Sequence, residues 1–216
     1  MNITDYYKKC EKDEKNDNQN FEEIKLKKGV LKIYHNFVNV DLLKKIEEEL
    51  NKLDYTQYIL KVRGHNYKSP RLNTFIGNIE ENKTLSYKYS NSEFFAVQWN
   101  ETFQKLSNEI TNITKEPYNC ILINYYRDGN DYIAYHKDDE KDLVNEYIPC
   151  LSIGCKRFFS LKDKYTKHEE KIDKYVFNND LVIINKEINK NYYHLILKSK
   201  INDLRISLTF RYIKCK

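Results

Sequence analysis

Hydrophobic residues alternate with polar ones in short runs along most of this chain, and a helical spacing appears in only two stretches. The first stretch follows an alternating run at 29–38, and Asp41 predicts the N-terminal cap of a helix there. Its apolar face consists of Leu42, Ile46, Leu50 and Leu53. The second stretch predicts a helix over residues 92 to about 114, with a buried stripe of Phe95, Trp99, Phe103, Leu106, Ile110 and Ile113.

Short strands are predicted from residue 119 onward, because alternating runs are divided there by polar turns at 128–130, 162–164 and 178–180. Residues 60–89 show little periodicity and predict loops and short hairpins carried by the body of the protein. Segments of that kind often hold substrate contacts. The pattern as a whole indicates helices first and then a meandering β sandwich or barrel.

Composition agrees with one β-rich domain. The chain has 216 residues, of which 40% are hydrophobic, enough for one sizeable core. Nineteen Tyr and ten Phe against five Gly and three Pro favour pleated, half-buried surfaces. The net charge of +5 permits a polyanionic partner without requiring one.

Five cysteines with no CxxC pair cannot form a complete disulfide set, so reduced thiols in an intracellular protein are expected. Residues 1–24 are rich in charged and polar side chains and predict a disordered arm before a folded domain at 25–216. The sequence shows no apolar stretch typical of a signal peptide or a membrane span. We therefore expect a soluble, monomeric protein of the cytoplasm or nucleus.

The triplet His136-Lys137-Asp138 is the first candidate for chemistry. On a strand, His136 and Asp138 point to the same side, and His194 from a later strand would complete a set of two imidazoles and one carboxylate. Such a set on one face of an iron(II) ion leaves three positions open for a 2-oxoacid and dioxygen. The alternative is that both histidines are ordinary residues with satisfied hydrogen bonds.

The last alternating run divides into a polar face and an apolar face. The polar face consists of Arg205, Ser207, Thr209 and Arg211, and the apolar face of Ile206, Leu208, Phe210 and Tyr212. In one interpretation the arginines meet water while the apolar face packs into the core. In the other, the polar face lines a cavity where guanidinium groups bind a dicarboxylate. The pattern alone does not choose between them.

Taken together and in order, these motifs resemble those of a known family. They are Asn124-Tyr125-Tyr126-Arg127-Asp128-Gly129, His136-Lys137-Asp138-Asp139-Glu140, His194 and the run from Arg205 to Arg211. Over residues 28 to 213 the chain resembles the AlkB family of iron(II)- and 2-oxoglutarate-dependent nucleic-acid demethylases. It looks most like the branch that repairs DNA in animals.

The resemblance implies a fold and a set of site residues. The fold would be of the α+β class, a double-stranded β-helix (jelly-roll) with supporting helices and an N-terminal nucleotide-recognition lid at about 60–90. The implied iron ligands are His136, Asp138 and His194. The residues implied around 2-oxoglutarate are Asn124, Tyr126, Arg205, Thr209 and Arg211, with Arg205 on the distal carboxylate.

The resemblance also implies a reaction and its substrate contacts. The reaction would demethylate 1-methyladenine and 3-methylcytosine in DNA, consuming O2 and 2-oxoglutarate and releasing formaldehyde, succinate and CO2. Tyr89 would stack on the base, Tyr87 would donate a hydrogen bond, and Asp139 would face the exocyclic amine beside Glu140. As an alternative, the two acidic residues are ordinary surface charges.

One position departs from the double-strand-repairing relatives. Arg63, in Val62-Arg63-Gly64, stands where those relatives carry an apolar aromatic wedge, while Arg71 matches an arginine that would contact the nucleic-acid backbone. The departure opens single-stranded DNA or RNA as the substrate polymer. Two other functions stay open: a 2-oxoglutarate-dependent hydroxylase of a protein or small molecule, and a catalytically silent nucleic-acid-binding module.

Overall fold

The computed structural model describes residues 20–62, 64–79, 85–89, 92–138, 143–165 and 170–213, and within them the chain is mostly β. The helices are α1 (Val40–Leu50), α2 (Glu101–Thr114) and α3 (Lys186–Asn191). The strands are β1 (Phe21–Lys25), β2 (Val30–Tyr34), β3 (Ile59–Val62), β4 (His65–Lys68), β5 (Leu72–Gly77), β6 (Ser86–Tyr89), β7 (Ser92–Phe95), β8 (Val97–Gln98), β9 (Cys120–Tyr126), β10 (Ile133–His136), β11 (Tyr147–Gly154), β12 (Arg157–Asp163), β13 (Lys171–Val176), β14 (Leu181–Asn185), β15 (Tyr192–Ile196) and β16 (Arg205–Arg211). The expected α+β class therefore overstates the helical part.

Two sheets form the body of the protein. The larger sheet has eight strands in the order β1-β2-β14-β11-β16-β9-β5-β8, and the smaller one has four in the order β10-β15-β12-β13. Side chains from both sheets share one apolar cluster, which includes Ile148 and Val182 of the larger sheet and Phe159 and Ile196 of the smaller one. The two sheets thus pack face to face, as the sequence predicted for a sandwich.

Helices α1 and α2 cover the outer side of the larger sheet. Ile46 of α1 and Leu106 of α2 are fully buried in the same cluster as Leu208 of β16. The cap of α1 is Asn39, whose side chain accepts from the backbone N–H of Leu42, so the prediction of Asp41 as the cap was wrong. Asp41 lies in the first turn instead, where a carboxylate favours the positive end of the helix dipole.

The second helix begins later than predicted. Asn100 accepts from the backbone N–H groups of Thr102 and Phe103 and so caps α2, which begins at Glu101 instead of residue 92. The preceding residues form two strands, β7 paired with β6 and β8 paired in parallel with β5. Phe95 is consequently 63% exposed and does not belong to the buried stripe.

The N-terminal part of the described chain is also more ordered than expected. Residues 1–24 were predicted to form a disordered arm, but Phe21–Lys25 forms β1 and pairs antiparallel with β2. His35 ties this edge to the body, since its ring nitrogens lie 3.0 Å from Glu22 Oε1 and 2.8 Å from Asp180 Oδ1. Residues 1–19 lie outside the described residues.

The segment at 60–89 contains the short hairpins that the sequence predicted. Strand β3 pairs with β4 through a turn at Gly64, whose φ of +83° suits glycine, and β6 pairs with β7. The role of this segment as a lid stays a prediction.

Candidate active site

The polar face of β16 lines a cavity between the two sheets. All seven residues of β16 are buried: Ile206, Leu208 and Phe210 pack toward the helices, while the alternate residues Arg205, Ser207, Thr209 and Arg211 line the cavity. The interpretation in which these arginines meet water is therefore wrong. Antiparallel pairing places further polar residues beside them, with Ser152 opposite Ser207 on one side and Asn124 opposite Ser207 on the other.

The predicted metal ligands converge at this cavity. One ligand atom each from His136, Asp138 and His194 lies within 4.8 Å of the other two. Strand pairing explains the convergence, because His136 of β10 is the register partner of His194 of β15 and their ring centroids lie 4.1 Å apart. Asp138 lies two residues after His136, beyond the end of β10. The donor set of two imidazoles and one carboxylate suits iron(II).

Electrostatics hold these groups in the protonation states that a metal requires. Burial, assisted by the His194 imidazole, lowers the pKa of His136 to about 3, and burial also lowers the pKa of His194. Burial alone would raise the pKa of Asp138, but Arg211 and both histidines outweigh it and hold that pKa below its usual range. Two neutral imidazoles and one ionised carboxylate are therefore ready to bind a cation at neutral pH.

Local hydrogen bonds orient the ligands. The Nδ1 atom of His136 lies 3.0 Å from the backbone oxygen of Ala134, which leaves Nε2 available to a metal. The side-chain amide of Asn189 in α3 binds the backbone of Asp138 at both ends: its Oδ1 accepts from the N–H at 2.9 Å and its Nδ2 donates to the C=O at 2.5 Å. No periodicity in the sequence points to Asn189, because it lies on a six-residue helix between β14 and β15.

Arginine side chains supply positive charge around the ligand set. Nη2 of Arg211 donates to Asp138 Oδ1 at 2.7 Å. Nη2 of Arg205 donates to Ser152 Oγ at 2.8 Å, whereas its Nε and Nη1 are buried and have no hydrogen-bond partner among the described residues. Arg205 also lies over the ring of Tyr126, at 5.1 Å from the ring centroid. Buried, unpartnered guanidinium donors fit a carboxylate ligand such as that of 2-oxoglutarate.

A third arginine lies inside the cavity instead of on an outer surface. Arg71 is 5% exposed, lines the cavity and donates from Nε to Asn124 Oδ1 at 2.7 Å. Asn73 donates to the same oxygen at 2.7 Å, and Asn124 donates onward to Ser207 Oγ at 3.4 Å. Asn73 of β5 was not predicted as a site residue, although it stands two residues after Arg71, which immediately precedes β5, and both line the cavity.

Further cavity residues carried no signal in the sequence. Cys150 of β11 lies opposite Thr209, whose Oγ1 is 3.7 Å from the Cys150 Sγ atom. Tyr58 and Phe94 also line the cavity, and their ring centroids lie 4.1 Å apart. Tyr58 precedes β3 and Phe94 lies within β7, and the sequence pattern gave no indication of a site at either residue.

Of the predicted substrate contacts, Arg71 alone has a described side chain. Tyr87 and Tyr89 belong to β6, but their side-chain positions are not described. Arg63, Asp139 and Glu140 lie outside the described residues. All five assignments stay predictions.

Comparisons with known proteins agree with this geometry. The model of the 2OG-Fe(II) oxygenase superfamily matches residues 30–211. The DNA oxidative demethylase ALKBH2 of Bos taurus is 28% identical over 181 residues, a match covering 80% of this chain and 64% of that protein. The alpha-ketoglutarate-dependent dioxygenase alkB homolog 3 of Bos taurus is 29% identical over 156 residues, covering 67% of this chain and 52% of that protein. The chain belongs to the AlkB family of 2OG-Fe(II) oxygenases.

The cofactors of this AlkB-family oxygenase are iron(II) and 2-oxoglutarate. The described donor set fits both, since the histidine–aspartate group suits the metal and the buried Arg205 donors suit a carboxylate. The chain spans less than two thirds of the length of the bovine relatives just compared.

The fold of the AlkB-family chain is also found among solved structures. The structure of OsALKBH1 is similar with a TM-score of 0.62 at 15% identity, covering 88% of this chain and 99% of that one. The double-stranded β-helix predicted from the sequence is thereby confirmed. In the described part of the chain, no helix combines the length and the apolar character that a membrane crossing requires.

Proposed function

We propose that this chain oxidatively demethylates N-alkylated bases such as 1-methyladenine and 3-methylcytosine in a nucleic acid. The observation that carries the proposal is the convergence of His136, Asp138 and His194 beside the buried Arg205, in one cavity. The similarity to ALKBH2 and alkB homolog 3 supports a nucleic-acid substrate. DNA is the expected polymer, because ALKBH2 is named a DNA oxidative demethylase.

On the larger sheet, the proposed task of β16 and its neighbours is to hold 2-oxoglutarate. Arg205 would pair with the distal carboxylate through the donors that have no partner among the described residues. Asn124, Tyr126 and Thr209 line the same cavity and would fix the orientation of the cosubstrate. The positive charges here favour a dianion over neutral metabolites of similar size.

On the smaller sheet, His136, Asp138 and His194 would hold the metal. Arg211 donates to Asp138 Oδ1, so the carboxylate keeps one fixed orientation and leaves Oδ2 for the metal. When bound, iron(II), 2-oxoglutarate and O2 supply the oxidant that hydroxylates the N-methyl carbon, after which formaldehyde leaves. The protein contributes position, charge and exclusion of water.

The substrate would approach from the side of the hairpins. Tyr58 and Phe94 line the cavity and offer aromatic faces to a base that has left its stack, and Arg71 adds a cationic donor. Tyr89 and Tyr87 are proposed to join them from β6. The buried position of Arg71 in the cavity supports a contact with the target nucleotide and not with a phosphate outside the cavity.

The direct test is incubation with an oligonucleotide that carries one 1-methyladenine, in the presence of iron(II), 2-oxoglutarate and O2. Formaldehyde and succinate should be released in equal amounts, from single-stranded DNA, duplex DNA or RNA tested in parallel. An Asp138→Ala variant and an unmethylated oligonucleotide serve as controls and should yield no formaldehyde.

Three outcomes separate the alternatives. Absence of turnover on every methylated polymer, while 2-oxoglutarate is still consumed, would point to a protein or small-molecule hydroxylase. Binding of methylated oligonucleotides without any 2-oxoglutarate consumption would point to a silent binding module. Turnover restricted to RNA would show that the substrate polymer is RNA instead of DNA, while the proposed demethylation reaction would stand.

A further inference from the structure

The strand that carries His136 is held loosely by its backbone. Among the described strands, β10 lies at the edge of the smaller sheet and pairs with β15 alone. Only Ile133 and His136 have register partners there, and the register shifts between them. Backbone hydrogen bonds alone therefore leave the middle of β10 less restrained than a strand paired on both sides.

A chain of side-chain contacts crosses the outer face of the same sheet and ends on β10. Tyr135 Oη lies 2.9 Å from Ser160 Oγ of β12, reaching over β15. Ser160 Oγ donates to Asp173 Oδ1 of β13 at 2.7 Å, and Lys171 Nζ lies 2.6 Å from Asp173 Oδ2. Lys162 Nζ stands 3.7 Å from the centroid of the Tyr135 ring. The contacts thus connect both edges of the sheet.

The direction of these hydrogen bonds follows from the chemistry of the groups. Burial would raise the pKa of Asp173, but hydrogen bonds from Lys171 and Ser160 outweigh it and lower that pKa, so the carboxylate only accepts. The single proton of the Ser160 hydroxyl is used toward Asp173. Ser160 is buried, with 1% of the residue exposed. Its Oγ must therefore accept a hydrogen bond from the Tyr135 hydroxyl.

Tyr135 and His136 are neighbours on opposite faces of β10. A displacement of Tyr135 would move the backbone oxygen of Ala134, which lies 3.0 Å from His136 Nδ1, and would move the His136 ring relative to His194. A shift of Tyr135 on the outer face of the sheet should therefore shift His136 on the inner face, where the predicted ligand atoms converge.

We propose that Tyr135 is a positioning residue for the metal site: its hydroxyl, bound to Ser160, fixes strand β10 and thereby holds His136 at the distance that metal binding requires. This role depends on the proposed ligand role of His136. It extends the site to residues on the far side of the sheet that touch neither metal nor substrate.

The test is the affinity of the full chain for Mn(II), measured by electron paramagnetic resonance of the unbound ion. Tyr135→Phe, which removes only the hydroxyl, should weaken Mn(II) binding about tenfold, the low end of the effect of losing an outer hydrogen bond. Its melting temperature should fall by no more than about 2 to 4 °C, as the loss of one hydrogen bond predicts. At saturating metal, the kcat of Tyr135→Phe should equal that of the parent. The defect should therefore appear only as a higher metal concentration needed for half-maximal activity.

Tyr193→Phe is the matched control. Tyr193 immediately precedes His194 as Tyr135 precedes His136, and its ring faces Lys164 Nζ at 5.8 Å, yet its hydroxyl has no hydrogen bond among the described residues. This variant should bind Mn(II) as the parent does. Equal losses in Tyr135→Phe and Tyr193→Phe would overturn the proposal.

Ser160→Ala should cause the same loss of Mn(II) affinity as Tyr135→Phe, and the double variant should be no worse than either single one, because both substitutions remove the Tyr135–Ser160 hydrogen bond. Asp173→Asn keeps an acceptor for Ser160 and should retain parental affinity. Parental affinity in Tyr135→Phe, or losses that add, would overturn the positioning role. His136→Ala separates the two proposals: if it binds Mn(II) like the parent, the ligand assignment itself fails.

Discussion

The two sheets hold their functional residues by different means. Strand β16 of the larger sheet is paired along its length with β9 and, from Arg205 to Thr209, with β11, in regular antiparallel register. Strand β10 of the smaller sheet is an edge strand with two register partners, and Asp138 follows it in a connecting segment. Arg205 is thus positioned by backbone hydrogen bonds on both sides of its strand, whereas His136 and Asp138 depend more on side-chain contacts. His194 lies on β15, between β10 and β12, and is also paired on both sides.

This difference separates two kinds of sensitivity. A side-chain change on β16 or β11 leaves the backbone ladder intact, so it should matter only where the side chain touches a ligand. A change near β10 or Asp138 can move a ligand atom without touching the metal. The residues around the proposed 2-oxoglutarate site on the larger sheet should therefore tolerate substitution better than the residues around the proposed metal site on the smaller sheet.

The largest effect is expected from His194→Ala. Loss of one of three ligands should weaken Mn(II) binding by about a hundredfold or more, because the remaining pair binds a divalent ion poorly. Electron paramagnetic resonance of free Mn(II) measures the change. His65→Ala, which removes an exposed histidine of β4, is the control and should bind Mn(II) normally. Parental binding by His194→Ala would place the metal elsewhere.

The second effect, on the larger sheet, comes from Arg205→Lys. A lysine keeps the charge but loses the planar fork, so the KM for 2-oxoglutarate should rise about ten- to a hundredfold. Mn(II) affinity without cosubstrate should not change. Arg127→Lys, which changes a half-exposed guanidinium paired with the buried Asp131 and absent from the cavity lining, is the matched control. If Arg205→Lys weakened metal binding equally, the division of tasks between the sheets would be wrong.

A smaller effect is expected from Asn189→Ala. The variant removes both hydrogen bonds to the backbone of Asp138, and Mn(II) affinity should fall about tenfold. The KM for 2-oxoglutarate at saturating metal should stay close to the parental value. Lys190→Ala, the exposed neighbour on α3, should behave like the parent. Unchanged Mn(II) binding in Asn189→Ala would show that Arg211 alone orients Asp138.

The smallest effect is expected from Cys150→Ser. Cys150 lies on β11 with register partners in both β14 and β16, and serine keeps an acceptor for the Thr209 hydroxyl. The KM for 2-oxoglutarate should change by no more than about threefold. Steady-state kinetics at saturating metal measure it. A much larger change would mean that the thiol contacts the cosubstrate directly and that the larger sheet is less tolerant than its register suggests.

The sequence predicted those site residues that belong to a pattern with a simple period along the chain. Alternation separated the two faces of β16, and the His136-Lys137-Asp138 triplet identified two of the three side chains that converge at the cavity, although Asp138 lies beyond the end of β10. Which face of β16 was buried did not follow from its pattern, because both faces are buried in the structure, one against helices and one around a cavity.

Features that depend on distant pairing escaped prediction. Residues 92–98 share a helical spacing with α2, but pairing with β5 and β6 overrides it and the Asn100 cap fixes the start of the helix. Asn189 meets Asp138 across 51 positions of sequence, and Arg71 meets Asn124 across 53. Neither contact leaves a local trace, because side-chain hydrogen bonds between remote segments impose no period on the chain.

The surplus of arginine over carboxylate in the cavity has a consequence for the protein in a cell. Arg71, Arg205 and Arg211 face only Asp138 among the described acidic residues that line the cavity. An enclosed positive potential of this kind attracts any small dianion that fits, including succinate, the product of the proposed reaction. The resting enzyme is therefore expected to exchange one anion for another, and its apparent affinity for 2-oxoglutarate to fall as competing metabolites rise.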